Sequence, residues 1–252
     1  MDVELAANYT SASQKARVIT ENWLATYGYC PTCGDGLKAA RANSKVFDFQ
    51  CIKCNEQFEL KGKRSARTSS KINDGAYSSM MERIMEPESP HFFFLGYDAR
   101  FSVTNLLAVP NYFFQPSVIE ERKPLAVTAR RAGWIGCNIL LDQIPEIGKI
   151  KLVQNSEIID QEEVIKTWQK TAFLSQQKQV ETRGWTLDVM KCIERLHSDA
   201  FNLEAIYKFE PELSKIYPNN RFIKDKIRQQ LQVLRDAGYI KFVSRGNYSL
   251  VT

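Results

Sequence analysis

Apolar positions along the chain change period several times, and each change marks a candidate element. Ala16, Val18, Ile19, Trp23 and Leu24 recur at near-helical spacing and predict an opening amphipathic helix over 11–27. Two short stretches rich in aromatic and apolar residues, 45–51 and 57–61, fit strands. Residues 62–71 are basic and serine-rich and read as a loop, whereas 72–84 places Ala76, Met80, Met81 and Ile84 on one side of a helix. The run His91-Phe-Phe-Phe-Leu-Gly-Tyr97 and the segment 101–109 have the composition of buried sheet strands, joined through Asp98-Ala99-Arg100. Gly and Pro punctuation over 120–138 predicts an irregular loop. A last strand over 150–153 and a helix over 162–173 close this part of the chain.

A polar stretch rich in Gln and Lys, 175–183, predicts a boundary between domains 1–180 and 181–252. Beyond it come helices over 185–196, 203–207 and 221–237, the last ended by Gly238. Strands 239–243 and 247–251 then turn around Ser244-Arg245-Gly246. Three helices and a two-stranded wing in this order predict an α+β winged-helix domain. In the third helix Ile223, Ile227, Leu231 and Leu234 form the buried stripe, leaving Arg221, Lys224, Arg228, Gln229 and Gln232 outside. The N-terminal part of such a helix enters the major groove, where Arg pairs with guanine and Gln with adenine. Arg245 at the wing tip is placed for phosphate or the minor groove. The plainer reading is a solvated helix face; the wing favours DNA.

Composition narrows the classes. The 252 residues are 44% hydrophobic and 11% aromatic, enough to fill cores and to exclude wholesale disorder. The net charge of +5 suits a polyanionic partner without requiring one. No apolar run approaches the roughly 20 residues of a bilayer-spanning helix, and the opening stretch has no apolar leader core. We therefore expect no membrane association and a cytoplasmic protein. Glycine-rich phosphate loops are missing, so nucleotide-driven chemistry has no motif.

In a reducing compartment paired cysteines are better read as metal ligands than as disulfides. Cys30-x-x-Cys33 and Cys51-x-x-Cys54 can each aim two sulfurs at one ion, which predicts a four-thiolate zinc site. The rival reading, a redox pair, calls for one such motif at a helix start, not two. Four protein ligands leave no open position, so this zinc would hold the fold. Cys137 and Cys192 have no partner at metal spacing and are expected to be small buried apolar residues.

Asp48 lies in the first of the two short strands, and Glu59-Leu60-Lys61 ends the second. Residues two apart on a strand share a face, so Glu59 and Lys61 point together, and a hairpin would set Asp48 opposite Glu59. Two carboxylates with an ammonium beside them suit Mg²⁺-assisted phosphodiester hydrolysis: oxygen ligands for the ion and a lysine that orients or deprotonates water. An E-x-K triplet alone usually marks a solvated strand face. The aspartate at hairpin distance and the second CxxC between Asp48 and Glu59 give this one a shared purpose.

Asp48 with Glu59-x-Lys61 resembles the core of PD-(D/E)XK nucleases. Over almost the whole chain the text resembles the DpnI-type methyl-directed restriction endonucleases, in SQKARVITENW, CPTCG, FELKGK, KINDGAYSSMM, FFFLGY, ERKPLAVTARRAGWIGCNI, RGWTLDVMKCIE and IRQQLQVLRD. The resemblance implies an α/β PD-(D/E)XK nuclease domain with an embedded four-cysteine zinc site, followed by a winged helix. It also implies Mg²⁺-dependent cleavage of duplex DNA at GATC carrying N6-methyladenine, with both domains binding the methylated sequence. Residue by residue, Asp48, Glu59 and Lys61 form the catalytic set, Asp48 and Glu59 hold magnesium, and Cys30, Cys33, Cys51 and Cys54 hold zinc. Phe47 stands where the motif has its proline, a position that varies freely.

Lys63, Arg64 and Arg67 in the basic loop, and the segment from Arg122 to Arg130 and Arg131, are candidate phosphate clamps. Trp134, flanked by Gly133, is either the aromatic that touches bases or the anchor of its own loop. We expect a monomer. A zinc-containing transcriptional regulator and a non-cutting reader of methylated DNA, a nuclease relic, are the rival functions; the first gives Asp48, Glu59 and Lys61 no joint role.

Overall fold

The computed structural model describes residues 1–40, 47–65, 69–86, 88–177 and 179–251, in two units, Met1–Thr171 and Ala172–Thr252. The first unit begins with helix α1 (Ala12–Tyr27), strands β1 (Leu37–Ala39), β2 (Phe49–Cys51) and β3 (Gln57–Arg64). Strand β4 (Lys71–Ala76), helix α2 (Tyr77–Met85) and strands β5 (His91–Tyr97) and β6 (Val103–Val109) follow. Strands β7 (Ile119–Glu121), β8 (Gly136–Leu140), β9 (Ile150–Gln154) and β10 (Glu157–Ile158) precede helix α3 (Gln161–Thr171).

Seven strands make one sheet in the order β1-β2-β3-β5-β6-β9-β10, in which β3 and β5 run parallel and the other neighbours antiparallel. Strands β4, β8 and β7 make a second, antiparallel sheet. Alternation along β3 sends Phe58 and Leu60 to one face and Glu59, Lys61 and Lys63 to the other. The first face carries Phe58, Phe93, Leu95, Leu106 and Leu152, packed with Leu24 of α1 and Val164 and Trp168 of α3. Strand β5 is buried on both faces, which explains its unbroken apolar run: Phe92 rests on Phe114 with ring centroids 4.6 Å apart. Each such ring removed from water contributes roughly 1.5–3 kcal/mol, so β5 anchors the sheet on which the charged face of β3 is displayed.

The structure corrects several expectations. Residues 71–76 are strand β4, paired with β8 at Ile72↔Ile139 and Asp74↔Cys137, and the helix starts only at Tyr77. Asn73, Asp74 and Gly75 are poor helix formers, and a strand partner some sixty residues on in the chain supplies the ladder. The loop expected over 62–71 is shorter, because β3 runs on to Arg64 beside β5. Arg67 lies outside the described residues, as do Lys45 and Val46 of the first expected strand, whose described part is β2. The irregular segment 120–138 has ordered ends, in β7 and β8.

The second unit holds helix α4 (Val180–Glu194), strand β11 (Ala200–Asn202), helices α5 (Leu203–Tyr207), α6 (Glu210–Ile216) and α7 (Ile223–Asp236), and strands β12 (Ile240–Ser244) and β13 (Asn247–Leu250). Its sheet runs β11-β13-β12. Ile223, Ile227, Leu231 and Leu234 are buried, and the buried Gln230 accepts a 2.7 Å hydrogen bond from Thr186 Oγ1. Strand β11 and helix α6 have too few apolar positions to announce themselves in sequence. The polar stretch 175–183 lies just past the division between the units and runs into α4.

Candidate active site and metal centre

Cys30 and Cys33 lie between α1 and β1, Cys51 ends β2, and Cys54 sits in the turn to β3. Their sulfurs lie within 4.8 Å of one another. Cys33 and Cys51 are 3.5 Å apart, and Cys54 lies 3.6 Å from both Cys30 and Cys33. A tetrahedron of zinc–sulfur bonds of about 2.3 Å has edges of about 3.8 Å, so the four thiols fit one zinc ion in donor type and size. Gly34 (φ 80°) and Asn55 (φ 64°) make the left-handed turns that close the two knuckles. The amides of Lys53 and Cys54 both donate to Cys51 Sγ at 3.4 Å, which favours a thiolate there. Cys137 and Cys192 are buried in β8 and α4 apart from this cluster, and burial pushes the Cys137 thiol up to about 11.

The second cluster stands on the charged face of β3. Lys61 Nζ lies 2.5 Å from Glu59 Oε1, the neighbour that alternation provides. Two further residues close on this pair. Asp74 of β4 accepts from Lys61, and Arg83 of α2 donates to the second oxygen of Glu59. All are well covered, with side-chain exposures of 17% for Lys61, 15% for Glu59, 10% for Asp74 and 27% for Arg83. Burial alone pulls the Lys61 pKa down, and the Glu59 and Asp74 carboxylates more than reverse it, so its pKa lies above the usual lysine value. Asp48 does not lie in the strand as expected: it forms a bend just before β2, where the ladder with β3 has ended, and its amide donates to the Phe58 carbonyl at 2.9 Å. Its Oδ2 accepts from the Leu60 amide at 2.8 Å, and its Oδ1 is 4.0 Å from Arg17 of α1.

The structure thus brings Glu59 and Lys61 side by side, with Asp48 tied to the backbone between them. Asp48 and Glu59 are hard oxygen donors of the kind Mg²⁺ takes. Both oxygens of Glu59 are engaged, by Lys61 and by Arg83, so an ion bound there would need one of them released. Sequence reasoning misses Asp74 and Arg83: they lie in the segment read as one helix, and no local signal links them to β3.

The candidate DNA contacts divide by their present partners. Lys63 donates to Ser69 Oγ at 2.7 Å and to the Lys71 carbonyl at 2.8 Å, so it ties β3 to the start of β4. Arg64, Arg130 and Arg131 are exposed, and Arg131 lies over the Trp134 ring, 4.5 Å from its centroid. Trp134 is half-buried and folds back on Gly136, where an added Cβ would meet the indole at 2.8 Å. In the second unit Lys224 faces Glu210 at 3.5 Å and Tyr207, while Arg228 pairs with Asp225 and donates to Tyr207. Arg221, Gln229 and Arg245 are exposed. Phe222, at the N-cap of α7, is 71% exposed and is an apolar residue that helical spacing does not single out.

A sheet-rich domain with a four-cysteine cluster and a carboxylate–lysine cluster, followed by a helix-turn-helix unit, defines the class. The Dam-replacing family (DpnI) matches residues 1–177, and the Dam-replacing HTH domain (DpnI_C) matches residues 181–250. The chain belongs to the DpnI, or Dam-replacing, family. Membership implies DNA binding and a restriction endonuclease directed by methylation. Among the described residues no helix is long and apolar enough to cross a membrane.

Proposed function

We propose that the protein is a type II restriction endonuclease that hydrolyses duplex DNA at GATC carrying N6-methyladenine. Residues 1–180 form a PD-(D/E)XK catalytic domain stapled by zinc, and 181–252 a winged helix that binds the same methylated sequence. The observation that carries this reading is the pairing of Glu59 and Lys61 on one face of β3, with the Asp48 carboxylate, just before β2, accepting from the Leu60 amide between them. The sequence GATC and the methyl group come from the family resemblance. A cytoplasmic monomer suits the proposal.

Asp48 and Glu59 would hold Mg²⁺, and Cys30, Cys33, Cys51 and Cys54 zinc. Bound Mg²⁺ supplies a Lewis acid and a water of lowered pKa. Lys61 holds an ammonium beside Glu59, where it orients the attacking water and offsets the negative charge that builds on the phosphate. Arg64, Arg130 and Arg131 would meet backbone phosphates, and Trp134, Arg221, Lys224, Arg228, Gln229 and Arg245 bases or the groove, those now held within the protein exchanging their partners for DNA.

Incubation of methylated and unmethylated plasmid with wild-type protein and Mg²⁺ tests the proposal. Fragments should appear from methylated plasmid alone. Lys61→Ala should give none while binding methylated duplex with nearly wild-type affinity. Equal cutting of both plasmids would remove the methyl requirement, and cutting by Lys61→Ala would remove the assignment of the site.

A further inference from the structure

Lys61 is shared between two sheets. Glu59, its neighbour on β3, holds the ammonium from one side, and Asp74 holds it from β4 of the second sheet. Alternation from the buried Ile72 turns Asp74 into the same space between the sheets, where its side chain is 10% exposed. A carboxylate so covered is costly unless paired. The ladder between β4 and β8 is also broken at this point. Asp74 faces Cys137 and Ala76 faces Gly136, so Gly75 is an extra residue and the strand bulges beside the acid. Bulges re-aim side chains and collect at functional sites.

The two carboxylates have different obligations. One oxygen of Glu59 faces Lys61 and the other faces Arg83, and on the reading above Glu59 is also a ligand for Mg²⁺. Any oxygen it commits elsewhere is lost to the lysine. Asp74 lies on a separate sheet and stands outside that proposed ligand pair. We infer that Asp74 is the positioning residue for Lys61: it fixes the ammonium in place when Glu59 is engaged elsewhere. The inference rests on the proposal that Lys61 acts in cleavage.

The test uses the full-length, zinc-loaded protein as wild type, Lys61→Ala and Asp74→Asn. Four quantities are read: single-turnover cleavage of a methylated GATC duplex, Kd for that duplex with Ca²⁺ replacing Mg²⁺, Mn²⁺ affinity of the DNA-free protein, and melting temperature. Asp74→Asn keeps the side chain's shape and leaves Glu59 to pair Lys61, so the fold should survive. Cleavage should slow by roughly 10- to 100-fold, the usual range for residues that orient a site's working groups. Kd, Mn²⁺ affinity and melting temperature should stay close to wild type. A fall in rate with unchanged duplex affinity is not what a merely structural acid would give.

A rate within about threefold of wild type would overturn the inference. So would a parallel tenfold loss of Mn²⁺ affinity, which would make Asp74 a metal ligand. If Asp74→Asn does not fold, Asp74→Ser takes its place, and collapse of both variants marks the acid as part of the fold and overturns its positioning role. Lys61→Ala separates the two levels. Should it cut like wild type, the active-site reading itself falls; should it be inert while Asp74→Asn cuts normally, only the positioning role falls.

Discussion

Replacing one zinc ligand should weaken the first unit by an amount that the cluster itself sets. Cys30 is fully buried, and its thiol lies 3.6 Å from Cys54. Structural zinc contributes on the order of 10–16 kcal/mol to the folding of small four-ligand sites. An equal share for each ligand gives roughly 2.5–4 kcal/mol for Cys30→Ser, before any cost of burying a hydroxyl. Domains of this size are stable by about 5–15 kcal/mol, so the loss is large but survivable. At roughly 2–4 °C per kcal/mol the melting temperature should fall by about 5–16 °C. Metal analysis should find about one zinc per wild-type chain and less in the variant. The second knuckle joins β2, which Asp48 directly precedes, to β3, which carries Glu59. Cleavage should therefore fall as zinc is lost. The reasoning fails if Cys30→Ser keeps a full zinc complement and melts like wild type, or if stripped protein folds and cuts normally.

Two further outcomes follow from the same geometry. Arg83 holds an oxygen of Glu59 that a divalent ion would need, so Arg83→Ala should lower the Mg²⁺ concentration for half-maximal cleavage; an unchanged or higher requirement in a Mg²⁺ titration would count against the competition. Gln229 is exposed on α7, and Gln229→Ala, with Ca²⁺ in place of Mg²⁺, should weaken binding of methylated GATC duplex by about 1–3 kcal/mol at fixed salt if it makes a bidentate base contact. Equal loss on an unrelated duplex would make it a general DNA contact instead.

What could be read in advance was local. The two CxxC pairs, the spacing of Glu59 and Lys61 on one strand face, the apolar run of β5 and the stripe of α7 each depend on neighbours in sequence, and the structure contains all of them. Asp74 and Arg83 could not be read because their setting is made by distant pairing. Met80 and Ile84 are spaced as a helix requires and are buried as a helix requires. That true signal from α2 extends backwards in sequence over β4, whose partner lies in residues 136–140. The exposed polar face of α7 shows the reverse limit. Pattern places Lys224 and Arg228 outside, but only the structure shows them engaged with Glu210, Asp225 and Tyr207.

The pairing of β4 with β8 also joins two parts of the molecule that differ in purpose. Strand β8 is the exit of the loop that carries Arg130, Arg131 and Trp134, and Trp134 folds onto the first residue of that strand. The next residue, Cys137, is the ladder partner of Asp74, which in turn grips Lys61. From the indole to the lysine the route is therefore short and made of covalent bonds, one ladder step and one ion pair. A strand bulge lies beside it, at Gly75, where the ladder is locally disrupted and the strand bends. A displacement of the loop at Trp134 therefore has a short mechanical path to Lys61, with no need for the whole domain to move.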